Sequence, residues 1–160
     1  MTRAFTLIEM LIYMGLLAVF LLVLGQVFFA MLDAQLKSQT VSSVVQDGSF
    51  ILNRLGYDIH RAVSVVAPAT DGESSSALTL SFPDGNYTYS AATSVLQLTA
   101  PEGTAGLTGW DTLISAFSVT RLGNVGGKPS LRISFTLTSR SSSLSQKPEI
   151  RNFQTTYALR

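Results

Sequence analysis

Residues 1–32 read MTRAFTLIEMLIYMGLLAVFLLVLGQVFFAML, and this stretch decides what kind of chain follows. In residues 10–32 the only strongly polar side chain is Gln26. About 20 such residues suffice to cross a hydrocarbon core of ~30 Å as a helix. A cleaved signal peptide has a shorter apolar region of about 7 to 15 residues. The sequence therefore predicts one transmembrane helix close to the N-terminus.

Charged residues flank this apolar run on both sides. Arg3 precedes it, while Asp33 and Lys37 follow it. Under the positive-inside rule this arrangement predicts a cytoplasmic N-terminus, with the C-terminal domain periplasmic or extracellular. Glu9 lies at the start of the run, where a carboxylate is costly and is usually paired. Glu9 is therefore a candidate functional residue; the alternative is a carboxylate solvated among the lipid headgroups.

The segment Phe5-Thr6-Leu7-Ile8-Glu9, behind the short leader Met1-Thr2-Arg3-Ala4, resembles the processing site of type IV pilins and pseudopilins. The resemblance implies that prepilin peptidase cuts between Ala4 and Phe5 and that the new Phe5 amine is N-methylated. It further implies that Glu9 serves subunit assembly by neutralising the terminal amine of a neighbouring subunit. Residues 1–4 are then the leader and residues 5–32 the transmembrane assembly helix. The family usually has glycine where this chain has Ala4.

Residues 33–66 continue the helix with a narrower apolar stripe. Steps of three and four residues place the stripe on one helical face: Val41, Val45, Gly48, Leu52, Leu55, Ile59, Ala62 and Val66. The opposite face is predicted to be exposed to water and carries Gln46, Asp47, Asn53, Arg54, Asp58 and Arg61. Pro68 disfavours a helical Ala67, so the helix is predicted to end at Val66. We expect the stripe to pack on the protein's own sheet; a coiled-coil seam is the alternative.

Residues 67–160 have the composition of a β-rich domain, with many Ser and Thr residues between short apolar alternations. Period-two patterns predict strands at 77–82, 86–90, 95–99, 115–121, 130–138 and 151–159. Residues 83–85 and 123–127 have turn composition, and residues 139–145 are predicted to be a loop. The fold class is therefore α+β, with a long N-terminal helix packed on an antiparallel sheet domain.

Composition limits the functions that this chain can have. The net charge is +1, only 13% of residues are charged, and there is no cysteine. His60 is the only histidine, and we expect it to be exposed or packed on the helix. These counts argue against an enzyme, a metal site, a cofactor and a nucleic-acid partner. A signal-anchored periplasmic enzyme would need convergent titratable groups that the sequence does not indicate.

Other residues have a structural and a functional interpretation. We interpret Asp71, Glu73 and Asp84 as turn residues rather than calcium ligands, because dense oxygen-ligand spacing is absent. The sequon at Asn86 lies in a predicted strand and is a chance-level motif. Trp110 is predicted to fill the core; the alternative is a surface anchor for a partner. The arginines of the β-rich domain are expected on a solvated surface.

The residues 53–62, 131–137 and 153–160 make the chain similar to J-type minor pseudopilins of type II secretion systems. The resemblance implies a structural filament subunit at the filament tip. Its partners would be prepilin peptidase, other minor and major pilins or pseudopilins, the inner-membrane assembly platform and membrane lipid. The alternative is a tip adhesin or DNA-uptake pilin that binds a ligand through residues 103–110 or 139–145.

Overall fold

The computed structural model describes residues 6–123, 127–140 and 148–160. Within these ranges one helix, α1 (Leu7–Arg61), is followed only by strands. The strands are β1 (Ser64–Ala67), β2 (Ser74–Ser75), β3 (Ala77–Phe82), β4 (Gly85–Ala92), β5 (Val95–Ala100), β6 (Gly103–Gly106), β7 (Thr112–Leu122), β8 (Ser130–Ser139) and β9 (Ile150–Ala158). The chain divides into two units, Met1–Ser38 and Gln39–Arg160. The predicted α+β class is confirmed.

The strands form two antiparallel sheets. Sheet A has the order β1-β3-β4-β5-β6, and sheet B has the order β2-β7-β8-β9. The predicted hairpin of β3 and β4 is confirmed, with Phe82 opposite Gly85 at its turn. The predicted strands β5, β7, β8 and β9 are confirmed as well, whereas β1, β2 and β6 were not predicted. The predicted turn at 123–127 and loop at 139–145 lie largely outside the described residues.

Helix α1 ends at Arg61, so the prediction that it reaches Val66 was wrong. Residues 64–67 instead form β1, in which Val65 lies opposite Leu80 of β3. The run Val63, Val65 and Val66 is rich in β-branched side chains, which fit a pleated surface better than a helix. Pairing with sheet A therefore outweighs the helical spacing that the sequence continues to show.

The core of the second unit lies between residues 39–61 of α1 and the two sheets. Its buried apolar side chains are Val44, Ile51, Leu55, Ile59, Ala62, Val65, Leu78, Leu80, Tyr89, Leu96, Leu98, Ile114, Phe117, Val119, Leu131, Ile133, Phe135 and Leu137. Every second residue of β8, from Leu131 to Ser139, is buried, as the period-two pattern of this strand predicts. The helical stripe therefore packs on the protein's own sheets, which confirms that expectation over a coiled-coil seam.

The buried face of the helix differs from the predicted one by one residue at two positions. Val44 is buried where Val45 was predicted, and Val45 is exposed. Ile51 is fully buried, whereas the predicted Leu52 is only partly buried. The predicted Gly48, Leu55, Ile59 and Ala62 are buried, so the predicted face is largely correct toward the C-terminal end of the helix.

Two glycines of α1 let the last strand lie close to the helix. The ring of Phe153 in β9 occupies the space that a Cβ at Gly48 would fill. A Cβ at Gly56 would lie 2.8 Å from Cε1 of Tyr157. The Tyr157 hydroxyl also donates a hydrogen bond to the backbone carbonyl of Leu52 at 2.8 Å. The edge strand β9 is therefore held against the helix by two aromatic rings and one hydrogen bond.

Candidate functional site

The N-terminus of α1 carries Glu9, the predicted assembly residue. Glu9 is partly exposed and lies in the first helical turn. The backbone N–H groups of Glu9 and Met10 donate to the carbonyl of Thr6 at 3.1 and 3.2 Å. The Thr6 hydroxyl donates to Glu9 Oε2 at 3.5 Å. Ala4 and Phe5, the predicted cleavage and methylation positions, lie outside the described residues.

Thr6 and Glu9 have the spacing of a capping box, in which Thr precedes the first helical residue and Glu is the third helical residue. A carboxylate near a helix N-terminus is favoured by about 0.3–1 kcal/mol, because it faces the positive end of the helix dipole. Glu9 therefore contributes locally to the start of α1. The spacing is visible in the sequence, but the assembly hypothesis for Glu9 overlooked it.

Residues 7–32 of α1 present apolar side chains on all sides of the helix. None of the side chains in the most apolar 18-residue window is buried within the described chain. The exposed large apolar side chains are Leu7, Ile8, Met10, Leu11, Ile12, Tyr13, Met14, Leu16, Leu17, Val19, Phe20, Leu21, Leu22, Val23, Leu24, Val27, Phe28, Phe29, Met31 and Leu32. A helix that is apolar all round requires lipid or other apolar helices around it. By length and composition, α1 is a candidate membrane span.

A buried polar cluster joins the second part of α1 to sheet A. Asp58 was predicted on the water-exposed face, and this was wrong, because its exposure is only 2%. Asp58 Oδ2 accepts a hydrogen bond from Arg54 Nε at 2.8 Å and another from the hydroxyl of Tyr89 in β4. The pKa of the Tyr89 phenol is raised well above its usual value. Burial of the phenol is the larger cause, and its hydrogen bond to Asp58 is the next.

The role of this cluster follows from the cost of burying a charge. A buried carboxylate is stable only when it is paired and hydrogen-bonded, and Asp58 receives both forms of compensation. The Arg54 side chain is 39% exposed, so its charge is partly solvated while it contacts Asp58. The cluster therefore fixes the helix on β4.

A loop after β6 is also held by α1. Asp47 Oδ2 accepts hydrogen bonds from the backbone N–H of Gly109 at 2.9 Å and from the hydroxyl of Thr112. The Ser43 hydroxyl donates to Asp111 Oδ2 at 3.3 Å. Asp47 was predicted to be solvated, but the structure places it half-buried against this loop. The contacts fix the loop on both sides of Trp110.

Trp110 lies in this loop, between Gly109 and Asp111. The prediction that it fills the core was wrong, because its side chain is 86% exposed. Exposure is what the alternative interpretation, a surface anchor for a partner, requires. Large indole side chains are usually well buried, and Trp110 is more exposed than Phe50 and Tyr57, the other exposed aromatic residues of the second unit.

The acidic residues considered as calcium ligands have local partners. Asp71 Oδ1 pairs with Arg121 Nε at 2.9 Å, and Asp84 accepts a hydrogen bond from the Tyr87 hydroxyl at 2.9 Å. Glu73 accepts hydrogen bonds from the backbone N–H groups of Ala69 and Thr70 and from the Thr70 hydroxyl. The two bonds from Thr70 are the main reason that the pKa of Glu73 is lowered. Across the described ranges, no group of three or more His, Cys, Asp or Glu side chains has metal-binding geometry.

Other candidate positions lie on the surface. The exposed His60 ring meets the Tyr157 ring edge-on, with 6.0 Å between centroids, as its prediction of an exposed or helix-packed residue requires. Asn86 lies in β4, as predicted. The side chains of Arg132, Arg140, Arg151 and Arg160 are exposed, as predicted, whereas that of Arg121 is only 21% exposed and pairs with Asp71.

Comparison with known proteins matches no protein family, no curated protein and no solved structure.

Proposed function

We propose that this chain is a structural minor subunit of a type IV pilus-like or type II secretion filament. It is made as a membrane precursor, is cut by prepilin peptidase between Ala4 and Phe5, and does no chemistry itself. One observation carries the proposal: α1 is apolar all round over residues 7–32 and has a single carboxylate, Glu9, in its first turn.

Such a helix suits a subunit that leaves the bilayer for a filament. Lipid tails and apolar helix surfaces are similar environments, so exchanging one for the other costs little. The carboxylate of Glu9 favours the filament over the bilayer, because a charge in apolar surroundings needs an opposite charge and the filament provides one. The amine of Phe5 on a neighbouring processed subunit supplies that charge. Removal of residues 1–4 therefore creates the partner that Glu9 requires.

The second unit supports the same proposal by its architecture. Residues 39–61 of α1 pack on two antiparallel sheets, so the unit folds around the end of the helix that enters it. Resemblance to J-type minor pseudopilins makes the filament tip our proposed position. The proposed partners are the other pseudopilins, the inner-membrane assembly platform and membrane lipid, with the N-terminus in the cytoplasm.

The processing step is tested by mass spectrometry of the full chain made with active or inactive prepilin peptidase. We expect the active enzyme to remove residues 1–4 and to leave Phe5 with one added methyl group. Ala4→Gly introduces the residue that the family usually has, and we expect it to be cut at least as fast. An uncut Ala4–Phe5 bond in both chains contradicts the proposal.

The assembly step is tested by incorporation of Glu9→Ala into filaments or filament-tip complexes. We expect Glu9→Ala to lose incorporation. Thr6→Ala is the matched control, because it removes the capping hydroxyl and keeps the carboxylate. If the two variants fail equally, Glu9 acts through the helix cap, and if both assemble normally, the ion-pair role is wrong.

The alternative function, an adhesin or DNA-uptake pilin, is favoured by one observation, the exposure of Trp110. Residues 103–110 contain no Lys or Arg, and Asp47 and Asp111 hold the loop. Phosphate groups need cationic contacts, so a DNA ligand is disfavoured at this loop. Loss of surface adhesion with Trp110→Ala, while filaments still form, would support the adhesin.

A further inference from the structure

Trp110 is an apolar side chain that the fold leaves in water. It is the only tryptophan in the sequence, and 86% of its surface is exposed. An indole has a large apolar area and a single N–H donor, which suits a surface that is covered by a partner. Tryptophan is also enriched among the residues that dominate binding at protein interfaces.

The loop that carries Trp110 is fixed on both sides. Gly109 N–H and the Thr112 hydroxyl both donate to Asp47 on α1. Asp111 accepts from the Ser43 hydroxyl through its carboxylate, and its backbone carbonyl accepts from Arg140 N–H at 2.7 Å. A loop held in place before binding loses less conformational entropy on association. Trp110 is therefore carried by a loop that is already ordered on both sides of it.

Charge around Trp110 indicates the chemistry of the partner. Within the described ranges neither Asp47 nor Asp111 forms an ion pair, although both accept neutral hydrogen bonds. Arg140, whose N–H donates to the Asp111 carbonyl, is the one cationic residue among these contacts and is outnumbered by the two carboxylates. The carboxylates repel nucleic-acid phosphates and anionic lipid headgroups, and they attract arginine and lysine. A cation also binds favourably over an indole face.

We propose that the loop that exposes Trp110, held by Asp47 and Asp111, is a docking site for a second protein. That protein receives the indole in an apolar pocket rimmed by arginine or lysine side chains. The indole supplies most of the buried apolar area, and the two carboxylates orient the partner. This docking site does not depend on the filament function, because all of its residues lie in the Gln39–Arg160 unit.

The experiment places the photo-crosslinker p-benzoylphenylalanine at position 110 of the full chain in membranes of the source cells. The same crosslinker at Gln154, an exposed position of β9, is the matched control. We expect a discrete protein adduct at position 110 that is absent at position 154. The crosslinked peptide of the partner should contain apolar residues beside arginine or lysine.

Charge dependence distinguishes this site from simple apolar adhesion. Asp111→Asn keeps an oxygen acceptor for Ser43 and removes the negative charge, so we expect several-fold less adduct with an unchanged melting temperature. Raising the salt concentration should lower the adduct of the unaltered chain as well, which requires no variant to fold. The proposal is overturned by no adduct, equal adducts at both positions, adducts only to lipid, glycan or a second copy, or an adduct insensitive to salt.

Discussion

Residues 7–32 and residues 39–61 belong to the same helix but differ in what surrounds them. The first segment is apolar on every side and has no buried side chain in its most apolar window. The second has one buried face, which includes Val44, Ile51 and Leu55, and an exposed face that carries Asn53 and His60. The segments therefore share a backbone conformation and depend on different environments.

The comparison shows that the side-chain pattern, rather than the helix itself, determines what stabilises each segment. Most helical stability in proteins comes from packing of an apolar face. Residues 39–61 obtain this packing within the chain, while residues 7–32 must obtain it from lipid or other helices. Changes in the two segments should therefore have different consequences for membrane association and for the stability of the second unit.

The largest effect is expected from removing residues 1–38. The buried apolar core lies entirely within the remaining residues, so residues 39–160 should be water-soluble and should unfold cooperatively. The full chain should partition into membranes, because its exposed apolar helix is retained. Fractionation by ultracentrifugation and thermal unfolding by circular dichroism measure both properties. Aggregation of the truncated chain without a cooperative transition would show that the second unit depends on the first segment.

The next effect is expected from Asp58→Ala. This change leaves the buried Tyr89 hydroxyl without its acceptor, which costs about 1–3 kcal/mol in the free energy of unfolding. Loss of the ion pair with Arg54 adds less to this cost, because the Arg54 side chain is 39% exposed and can be solvated. Urea unfolding measures the loss. Asp58→Asn keeps an acceptor and should cost less, and Asn53→Ala on the exposed face should stay within about 0.5 kcal/mol. Equal stability of all three variants would contradict the proposed role of the cluster.

Gly48→Ala should have a smaller effect, because two terms oppose each other. A Cβ at Gly48 meets the ring of Phe153, which is stacked on Phe135 with 5.3 Å between ring centroids. Overpacking costs about 1–3 kcal/mol, and the gain in helix propensity returns up to about 1 kcal/mol. Gly25→Ala is the matched control, since nothing lies within 4 Å of its added Cβ. We expect thermal unfolding in detergent to show destabilisation for Gly48→Ala alone.

The smallest effect is expected in alkaline solution. The pKa of Tyr89 is raised in the folded chain, so the unfolded chain releases this proton first as the pH rises. The stability contributed by Tyr89 is complete below pH of about 10 and decreases above it, by at most about 1.4 kcal/mol per pH unit. Urea unfolding between pH 9 and 11 should show a shallower decrease for Tyr89→Phe than for the unaltered chain. Parallel decreases would mean that Tyr89 does not titrate differently on folding.

The features that sequence reasoning predicts well depend on local periodicity. The alternation in residues 77–82 and 130–138 gives the correct strands and the correct inward face, because period two leaves only one set of side chains for the core. Strand β6 escapes prediction because Gly103–Gly106 has no apolar alternation and every residue is exposed. Its pairing with β5 through the main chain leaves no mark in the side-chain pattern.

The incorrect predictions concern residues whose environment depends on distant parts of the chain. Asp58 was assigned to water because it is charged, yet Tyr89, 31 residues away, provides a buried partner. Trp110 was assigned to the core because it is large and apolar. The hydrogen bond of Gly109 to Asp47, 62 residues earlier, helps to fix the loop that holds it outside. The type of a residue predicts only how exposed such residues are on average, whereas tertiary contacts determine the exposure of Asp58 and Trp110 in this fold.

The two contacts of β9 with α1 are separated by nearly the same distance along the strand as along the helix. Gly48 and Gly56 are eight residues apart on the helix, about 12 Å at ~1.5 Å per residue. Phe153 and Tyr157 are four residues apart on the strand, about 13 Å at ~3.3 Å per residue. Each ring therefore lies over its glycine in only one alignment of the strand along the helix. The last strand sets the axial position of the helix, and a single-residue insertion between the two rings would remove this alignment.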